Sequence, residues 1–147
     1  MDIHILDFTS SLNFIPNKPT YALRIFNVTG PQDFVHELLY SENWIRIVNC
    51  YFHDTNPEEA KRLCFSHFLE IDYARKMVRD FARYKDRCEA VMIHCMAGMN
   101  RSPAVAVAFN DIFGLGNDSQ TLRNQYTDLN EYAYETIIKA GKLEGII

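Results

Sequence analysis

The 147-residue sequence lacks the features that mark repetitive, multidomain or nucleic-acid-binding chains. Gly and Pro number only 6 and 5, and there is no internal repeat, low-complexity tract or linker-like stretch to mark a domain boundary. The formal net charge is −4 and the basic residues are scattered, so no basic stripe follows a nucleic-acid backbone. We therefore expect one domain over residues 1–147, and we do not expect a nucleic-acid partner.

Long apolar runs and paired cysteines are also missing. No run approaches the roughly 18 apolar residues that cross a bilayer, and the first residues lack the basic and apolar segments of a secretory signal. The four cysteines form no C-x-x-C pair and no zinc-like group with histidines. We expect a cytoplasmic protein with reduced thiols, no membrane contact, no metal and no cofactor. The oligomeric state is not predicted.

Strand-like and helix-like segments alternate along the chain. Short runs of β-branched and aromatic residues predict strands at 3–8, 21–28, 44–52 and 90–94. A first helix is predicted from Gly30-Pro31, and its apolar face contains Phe34, Val35, Leu38 and Leu39. A longer one is predicted after Asn56-Pro57, with a break within it left open and with the apolar stripe Cys64, Phe68, Ile71, Ala74, Val78 and Phe81.

Three more helices are predicted after the fourth strand. One spans 102–113 and stops at Gly114, and two others begin at Asp118 and Asn130, the last ending near Gly141. The alternation predicts an α/β fold with a mostly parallel central sheet flanked by helices on both faces. In such sheets, ligands bind where the carboxyl end of a central strand enters a loop.

Residues 91–103 combine a buried strand, a tight loop and a helix that contains Pro103 in its first turn. Backbone N–H groups of a loop between a strand end and a helix N-terminus converge on one point, where the helix dipole adds positive potential. Gly98 lets the loop turn without a Cβ clash. The geometry predicts an anion site formed by His94, Cys95, Met96, Ala97, Gly98, Met99, Asn100, Arg101 and Ser102.

The chemistry of this loop is that of a nucleophilic thiol. Five residues separate Cys95 from Arg101, so a curled loop can place the sulfur under the anion while the guanidinium binds two of its oxygens. The positive surroundings favour the thiolate of Cys95. Ser102 can donate its hydroxyl to that thiolate, and we expect His94 to hold the loop through hydrogen bonds.

These residues match every fixed position of His-Cys-x-x-Gly-x-x-Arg-Ser/Thr. The loop therefore resembles the signature of the cysteine-dependent protein tyrosine and dual-specificity phosphatase superfamily, and the chain looks like a compact dual-specificity type. The resemblance implies a phosphatase fold and a phosphoric monoester hydrolase that forms a cysteinyl-phosphate. Cys95, Arg101 and Ser102 would be catalytic, and the substrate would be a phosphorylated protein, with phosphotyrosine the most expected.

The resemblance also implies a general acid on an upstream loop. Asp54 follows the third predicted strand and is the best candidate, although it lies 41 positions before Cys95, a longer spacing than is usual in the dual-specificity family. The alternative is that Asp54 only caps a turn before Asn56-Pro57. Orienting the hydrolytic water is one role open to Asn130, but the residue is better explained as a helix cap.

Other hypotheses remain open. The sequence Gly98-Met99-Asn100-Arg101 also resembles the corresponding segment of RNA 5′-triphosphatases in the superfamily, whose reaction needs no acid. A non-catalytic phosphate-binding module is the alternative from another class. Phosphoinositide phosphatases typically carry lysines inside the loop, and this loop has none. The remaining thiols either rescue an oxidised Cys95 as a disulfide or are inert core residues: Cys50, Cys64 and Cys88.

Overall fold

The computed structural model describes residues 1–28, 36–63 and 67–147. A sheet of four strands lies at its centre: β1 (Asp2–Leu6), β2 (Thr20–Phe26), β3 (Trp44–Tyr51) and β4 (Ala90–His94). The order is β1-β4-β2-β3 and every pairing is parallel, so the carboxyl ends of all four strands meet at one edge. The predicted parallel sheet is confirmed, with each strand ending within two residues of its predicted end.

The helices of the described ranges are α1 (Phe8–Leu12), α2 (Pro57–Leu63), α3 (Ile71–Tyr84), α4 (Arg101–Phe113), α5 (Ser119–Gln125) and α6 (Glu131–Leu143). The core between the sheet and α3, α4 and α6 contains buried aliphatic residues from β2 and β4 and an aromatic cluster. The ring centroid of Phe81 lies 4.7 Å from that of Phe109 and 5.0 Å from that of Phe113. This apolar packing holds the carboxyl half of α4 against α3.

The second face of the sheet is covered by α1 and by irregular segments. The ring of Phe8, the first residue of α1, lies 6.4 Å from Phe26 and 6.0 Å from His94. The ring of Phe14 lies 5.9 Å from that of Trp44. All seven residues of β2 are buried in consequence, which is expected for a central parallel strand covered on both faces.

Two predicted elements differ from the structure. The first strand stops at Leu6, because the side chain of Asp7 accepts a hydrogen bond from the backbone N–H of Ser10 and starts α1. The long helix predicted after Asn56-Pro57 is the two helices α2 and α3. His67, ahead of α3, lies near the sheet edge, where its carbonyl accepts a 2.7 Å hydrogen bond from the N–H of His53.

The helix predicted at Gly30-Pro31 falls partly on residues 29–35, which lie outside the described residues, as does Cys64. Residues 36–43 contain no helix, so Leu38 and Leu39 do not extend one. The helix ends predicted at Gly114, Asp118 and Asn130 are confirmed, and α6 continues two residues beyond Gly141. None of the helices in the described ranges combines the length and apolar character that crossing a bilayer requires.

Candidate functional site

The loop between β4 and α4 lies at the carboxyl edge of the sheet, beside the ends of β1 and β2. Cys95 is at its base and is only 2% exposed. Its Sγ lies 3.2 Å from Oγ of Ser102 and 3.2 Å from the backbone nitrogen of Gly98, which donates to it. The loop therefore curls around the sulfur, as the spacing of its residues predicts.

Gly98 is held against the end of β1. Its φ is 70°, and a Cβ built on it would lie 2.8 Å from the nitrogen of Asp7 and 2.9 Å from the carbonyl carbon of Leu6. The loop is tied to the same corner by a 3.1 Å hydrogen bond from the N–H of Phe8 to the carbonyl of Met96. The loop thus rests on rigid backbone of the β1–α1 corner.

The close approach predicts that Gly98→Ala is more damaging than an ordinary glycine substitution. Gly114→Ala is the matched control, because Gly114 also has a positive φ, of 59°, but nothing lies within 4 Å of its added Cβ. Positive φ alone costs about 1 kcal/mol for alanine, whereas Gly98→Ala must also displace backbone, and we expect a loss of about 3 kcal/mol. Urea unfolding of both variants measures the difference, and equal losses would contradict the close approach.

The surroundings of Cys95 favour its thiolate. Burial raises the pKa of the thiol, but the hydrogen bonds from Ser102, the charge of Arg101 and the N–H of Gly98 together outweigh burial and lower the pKa below its ordinary value. Cys50 is a contrasting case, because burial raises the pKa of its thiol to about 12. Of these two thiols, only Cys95 is prepared to act as a nucleophile near neutral pH.

Alkylation should report this difference. As pH rises through a lowered pKa, the thiolate fraction rises and then becomes constant, so the rate at which iodoacetamide modifies Cys95 should reach half of its maximum below the ordinary thiol pKa of about 8.5. Cys50 should stay unmodified over the same range because its thiol is neutral and buried. Peptide mass mapping at pH 5 to 9 measures both residues. A half-maximal rate at pH 8.5 or above would show that the thiol pKa is not lowered.

Arg101, the first residue of α4, is buried and fixed in orientation. Its Nη1 donates to Oδ1 of Asn27 and to the carbonyl of Phe52, both at 2.8 Å. Within the described part of the chain, its Nε and Nη2 donate to no protein acceptor. The edge formed by Nε and Nη2 therefore has the geometry that could bind two oxygens of one phosphate group.

His94 holds the loop from below. The imidazole is fully buried, and its Nδ1 lies 3.4 Å from the carbonyl oxygen of Cys95. Its Nε2 accepts a 3.0 Å hydrogen bond from Nε of Arg24 on β2. Burial and the charge of Arg24 lower the pKa of His94 to about 4, so it is neutral at pH 7 with its proton on Nδ1. Sequence reasoning missed Arg24, because an arginine in a strand pattern gives no sign that it is buried.

Asp54 lies near Arg101 and is held by α6. It is exposed three residues after β3, and its charge acts on the guanidinium of Arg101. Its Oδ1 accepts a 2.8 Å hydrogen bond from Nδ2 of Asn130. Oδ1 of Asn130 accepts from the N–H of Ala133, which caps α6 and fixes which end of the amide faces Asp54. Asn130 is therefore a helix cap, as predicted, and also a partner of the candidate acid.

The rest of the loop is either anchored or exposed. Nδ2 of Asn100 donates to the carbonyl of Asp128 at 2.8 Å, and the carbonyl of Asn100 accepts from the N–H of Asn130. Met96, Ala97 and Met99 face outward, and the two methionines are 55% and 47% exposed. The described residues include no group of three or more His, Cys, Asp or Glu side chains that could hold a metal ion.

No protein-family model and no curated protein matches the sequence. The crystal structure of Tk-PTP in the active form is similar with a TM-score of 0.56 and 14% identity, over 95% of this chain and 90% of that chain. The crystal structure of PTPMT1 in complex with PI(5)P has a TM-score of 0.55 and 10% identity, over 97% and 91% of the two chains. The chain therefore has the fold of the cysteine-dependent tyrosine and dual-specificity phosphatases.

Proposed function

We propose that the protein is a cysteine-dependent phosphatase that hydrolyses phosphate monoesters, with phosphotyrosine in proteins as the expected substrate. The observation that carries the proposal is the arrangement around Cys95. A buried thiol with a lowered pKa lies under a curled loop, beside a guanidinium whose two-nitrogen edge has no protein acceptor among the described residues. A binding module has no need of a thiol prepared in this way.

In the first step the thiolate of Cys95 attacks phosphorus, and the bond from phosphorus to the ester oxygen breaks. The guanidinium of Arg101 and the loop N–H groups stabilise the charge on the three remaining oxygens. Asp54 gives its proton to the departing oxygen, so the products are the free phenol and a cysteinyl-phosphate.

In the second step a water molecule attacks phosphorus and the sulfur leaves. Asp54, now a carboxylate, takes a proton from the water as inorganic phosphate forms. Ser102 stabilises the departing thiolate, because its Oγ lies 3.2 Å from Sγ and can donate a hydrogen bond to it. Neither step requires a metal ion.

Asn130 is a positioning residue in this scheme. Its Nδ2 donates to Oδ1 of Asp54, so the acidic proton belongs on Oδ2, the oxygen that this amide leaves available. Its own orientation is fixed by the N–H of Ala133. The amide thereby holds Asp54 in the orientation that proton transfer needs.

The leaving group tests the function and the acid together. The reduced wild-type protein should hydrolyse phenyl phosphate, 2,4-dinitrophenyl phosphate and phosphotyrosine peptides. Asp54→Asn should lower kcat for phenyl phosphate by about 10²- to 10⁴-fold, the usual contribution of a general acid. It should change kcat far less for the dinitrophenyl ester, whose leaving group departs without a proton. Equal losses on both esters would remove Asp54 from the role of acid.

Asn130→Ser separates capping from positioning. Serine still caps a helix, but its side chain is too short to reach Asp54, so we expect about a tenfold loss on phenyl phosphate alone. Asp118→Ser is the matched control, since Asp118 caps α5 through the N–H of Thr121. If Asn130→Ser and Asp118→Ser lower kcat equally, or if Asn130→Ser lowers kcat equally for both esters, Asn130 acts only on stability.

A lipid phosphate is the second candidate, because one similar structure contains PI(5)P. The loop offers Arg101 but no lysine, and Asp54 and Asp128 flank it, so a polyanionic headgroup would meet little positive charge. The same argument disfavours an RNA 5′-triphosphate. Faster turnover of either substrate than of phosphotyrosine peptides would replace the proposed substrate, and phosphate binding without any turnover would make the site a recognition module.

A further inference from the structure

Apart from the Cys95 loop, the structure has a cavity on the face of the sheet opposite the α3, α4 and α6 layer. It has a volume of about 630 Å³ and lies between β3 and the segment 36–44. Its lining includes Arg24, Leu39, Tyr40, Trp44, Ile47 and Asn49. It shares none of its lining residues with the loop from Cys95 to Ser102.

The base of this cavity is a buried cation. Arg24 is 2% exposed, and both of the groups that accept its hydrogen bonds are neutral. Nε donates to Nε2 of His94, and one terminal nitrogen donates to the carbonyl of His36 at 2.6 Å. Its guanidinium carbon also lies 5.1 Å from the ring centroid of Phe26.

No carboxylate of residues 1–28, 36–63 or 67–147 forms an ion pair with Arg24. Removing a cation from water without a counter-ion is energetically unfavourable. An anion that enters the cavity and reaches the guanidinium would recover part of that cost. The buried charge is therefore a reason for the cavity to bind a negative group.

The walls of the cavity define the rest of the ligand. Leu39, Trp44 and Ile47 are apolar, and the wall is held in place by a 2.9 Å hydrogen bond from Nε1 of Trp44 to the carbonyl of Leu39. Asn49 is paired in register with Arg24 on the neighbouring strand and adds a polar group near the cation. A polar base with apolar walls is the usual design of a small-molecule site.

We propose that this cavity binds a small monocarboxylate with an apolar tail, the carboxylate on Arg24 and the tail against Trp44, Leu39 and Ile47. A single negative charge is favoured over two. The cavity has one arginine at its base, and the carboxylate of Glu37 on its lining opposes additional negative charge.

The bound carboxylate would also act on the candidate active site, and this part of the inference rests on the proposed function. Arg24 donates to Nε2 of His94, whose Nδ1 faces the carbonyl of Cys95. A ligand that draws the guanidinium toward the cavity weakens the first hydrogen bond and with it the support of the loop. Occupancy should therefore lower kcat without competing with substrate.

Trp44 makes binding directly measurable, because it is the one tryptophan of the sequence. Hexanoate and the neutral hexanamide are titrated at constant ionic strength, with the fluorescence of Trp44 as the readout. We expect saturable binding of hexanoate, at least tenfold tighter than that of hexanamide and unaffected by excess inorganic phosphate at the Cys95 loop. Equal binding of the acid and the amide, or displacement of hexanoate by phosphate, would overturn the proposal.

Two substitutions on the lining test the charge without touching Arg24. Asn49→Asp adds a carboxylate beside the cation and should weaken hexanoate binding at least tenfold. Glu37→Gln removes an opposing carboxylate and should strengthen it several-fold. No change in either variant would overturn the site.

Turnover of phenyl phosphate with and without hexanoate then tests the coupling. An unchanged kcat at saturating hexanoate would overturn the coupling between the cavity and the active site, but not the binding of hexanoate to the cavity. If the protein hydrolyses no phosphate ester, the proposed function is wrong, but the fluorescence titration still tests the binding of hexanoate to the cavity.

Discussion

Cys95→Ser is expected to abolish hydrolysis, with kcat lowered on the order of 10⁴-fold or more, the scale of removing an enzyme nucleophile. A serine hydroxyl stays protonated at pH 7 and needs a base to become a nucleophile. His94 cannot supply one, because its Nε2 already accepts from Arg24 and its Nδ1 faces the carbonyl of Cys95. Steady-state hydrolysis of phenyl phosphate measures the loss.

The variant should still bind substrate, because Arg101 and the loop N–H groups are unchanged. Cys95→Ser should therefore bind a phosphotyrosine peptide at equilibrium. Its affinity for inorganic phosphate should stay within a few-fold of the affinity of the parent. Cys88→Ser is the control, a half-buried thiol whose pKa is raised by burial and whose loss should leave kcat unchanged. Turnover by Cys95→Ser near the parent rate would remove the thiol from the reaction.

Arg101→Ala is expected to lower kcat for phenyl phosphate by about 10³-fold, the upper range for removing one donor aimed at transition-state charge. Arg101→Lys should recover little of the rate, because an ammonium group keeps the charge but lacks the edge that binds two oxygens. The two variants together separate charge from geometry. A lysine variant with nearly the parent rate would show that charge alone is sufficient.

Stability has to be measured alongside these rates. Arg101 bonds Asn27 and the buried carbonyl of Phe52, so Arg101→Ala leaves that carbonyl without its donor and should also lower Tm. Asn27→Ala removes one of the two anchors while keeping the guanidinium, and we expect about a tenfold loss of kcat. Rates compared at temperatures well below each Tm separate a lost catalytic group from partial unfolding.

The strands and the later helices could be predicted because their information is local. The run of apolar residues before Cys95 identifies β4, and Gly114, Asp118 and Asn130 act within one turn of the helix ends that they cap. The carboxyl end of the first strand was predicted two residues too late because the aromatic Phe8 continues the strand-like pattern past Asp7, whose capping bond favours helix. His67, ahead of α3, accepts a backbone bond from His53, a contact between distant residues that no local pattern encodes.

The loop of the candidate site was predictable for the same reason, since its nine residues are contiguous. The contacts that support the loop could not be predicted in this way. Asn130 meets Asp54 across 76 positions, Arg101 meets Asn27 across 74, and Arg24 meets His94 across 70. Each of these pairs forms only when the sheet and α6 are assembled, so sequence separation hid the residues that orient the candidate acid, the guanidinium and the loop.

Because Gly98 packs against the β1–α1 corner, the time at which the Cys95 loop can form during synthesis depends on β1. Residues 2–6 are synthesised well before residues 90–94, which are their hydrogen-bonding partner in the sheet. Long-range parallel pairing is slow to form because the intervening chain must close first. Strand β1 must therefore remain without its partner until β4 has been made, and the pocket of Cys95 cannot acquire its shape before that point.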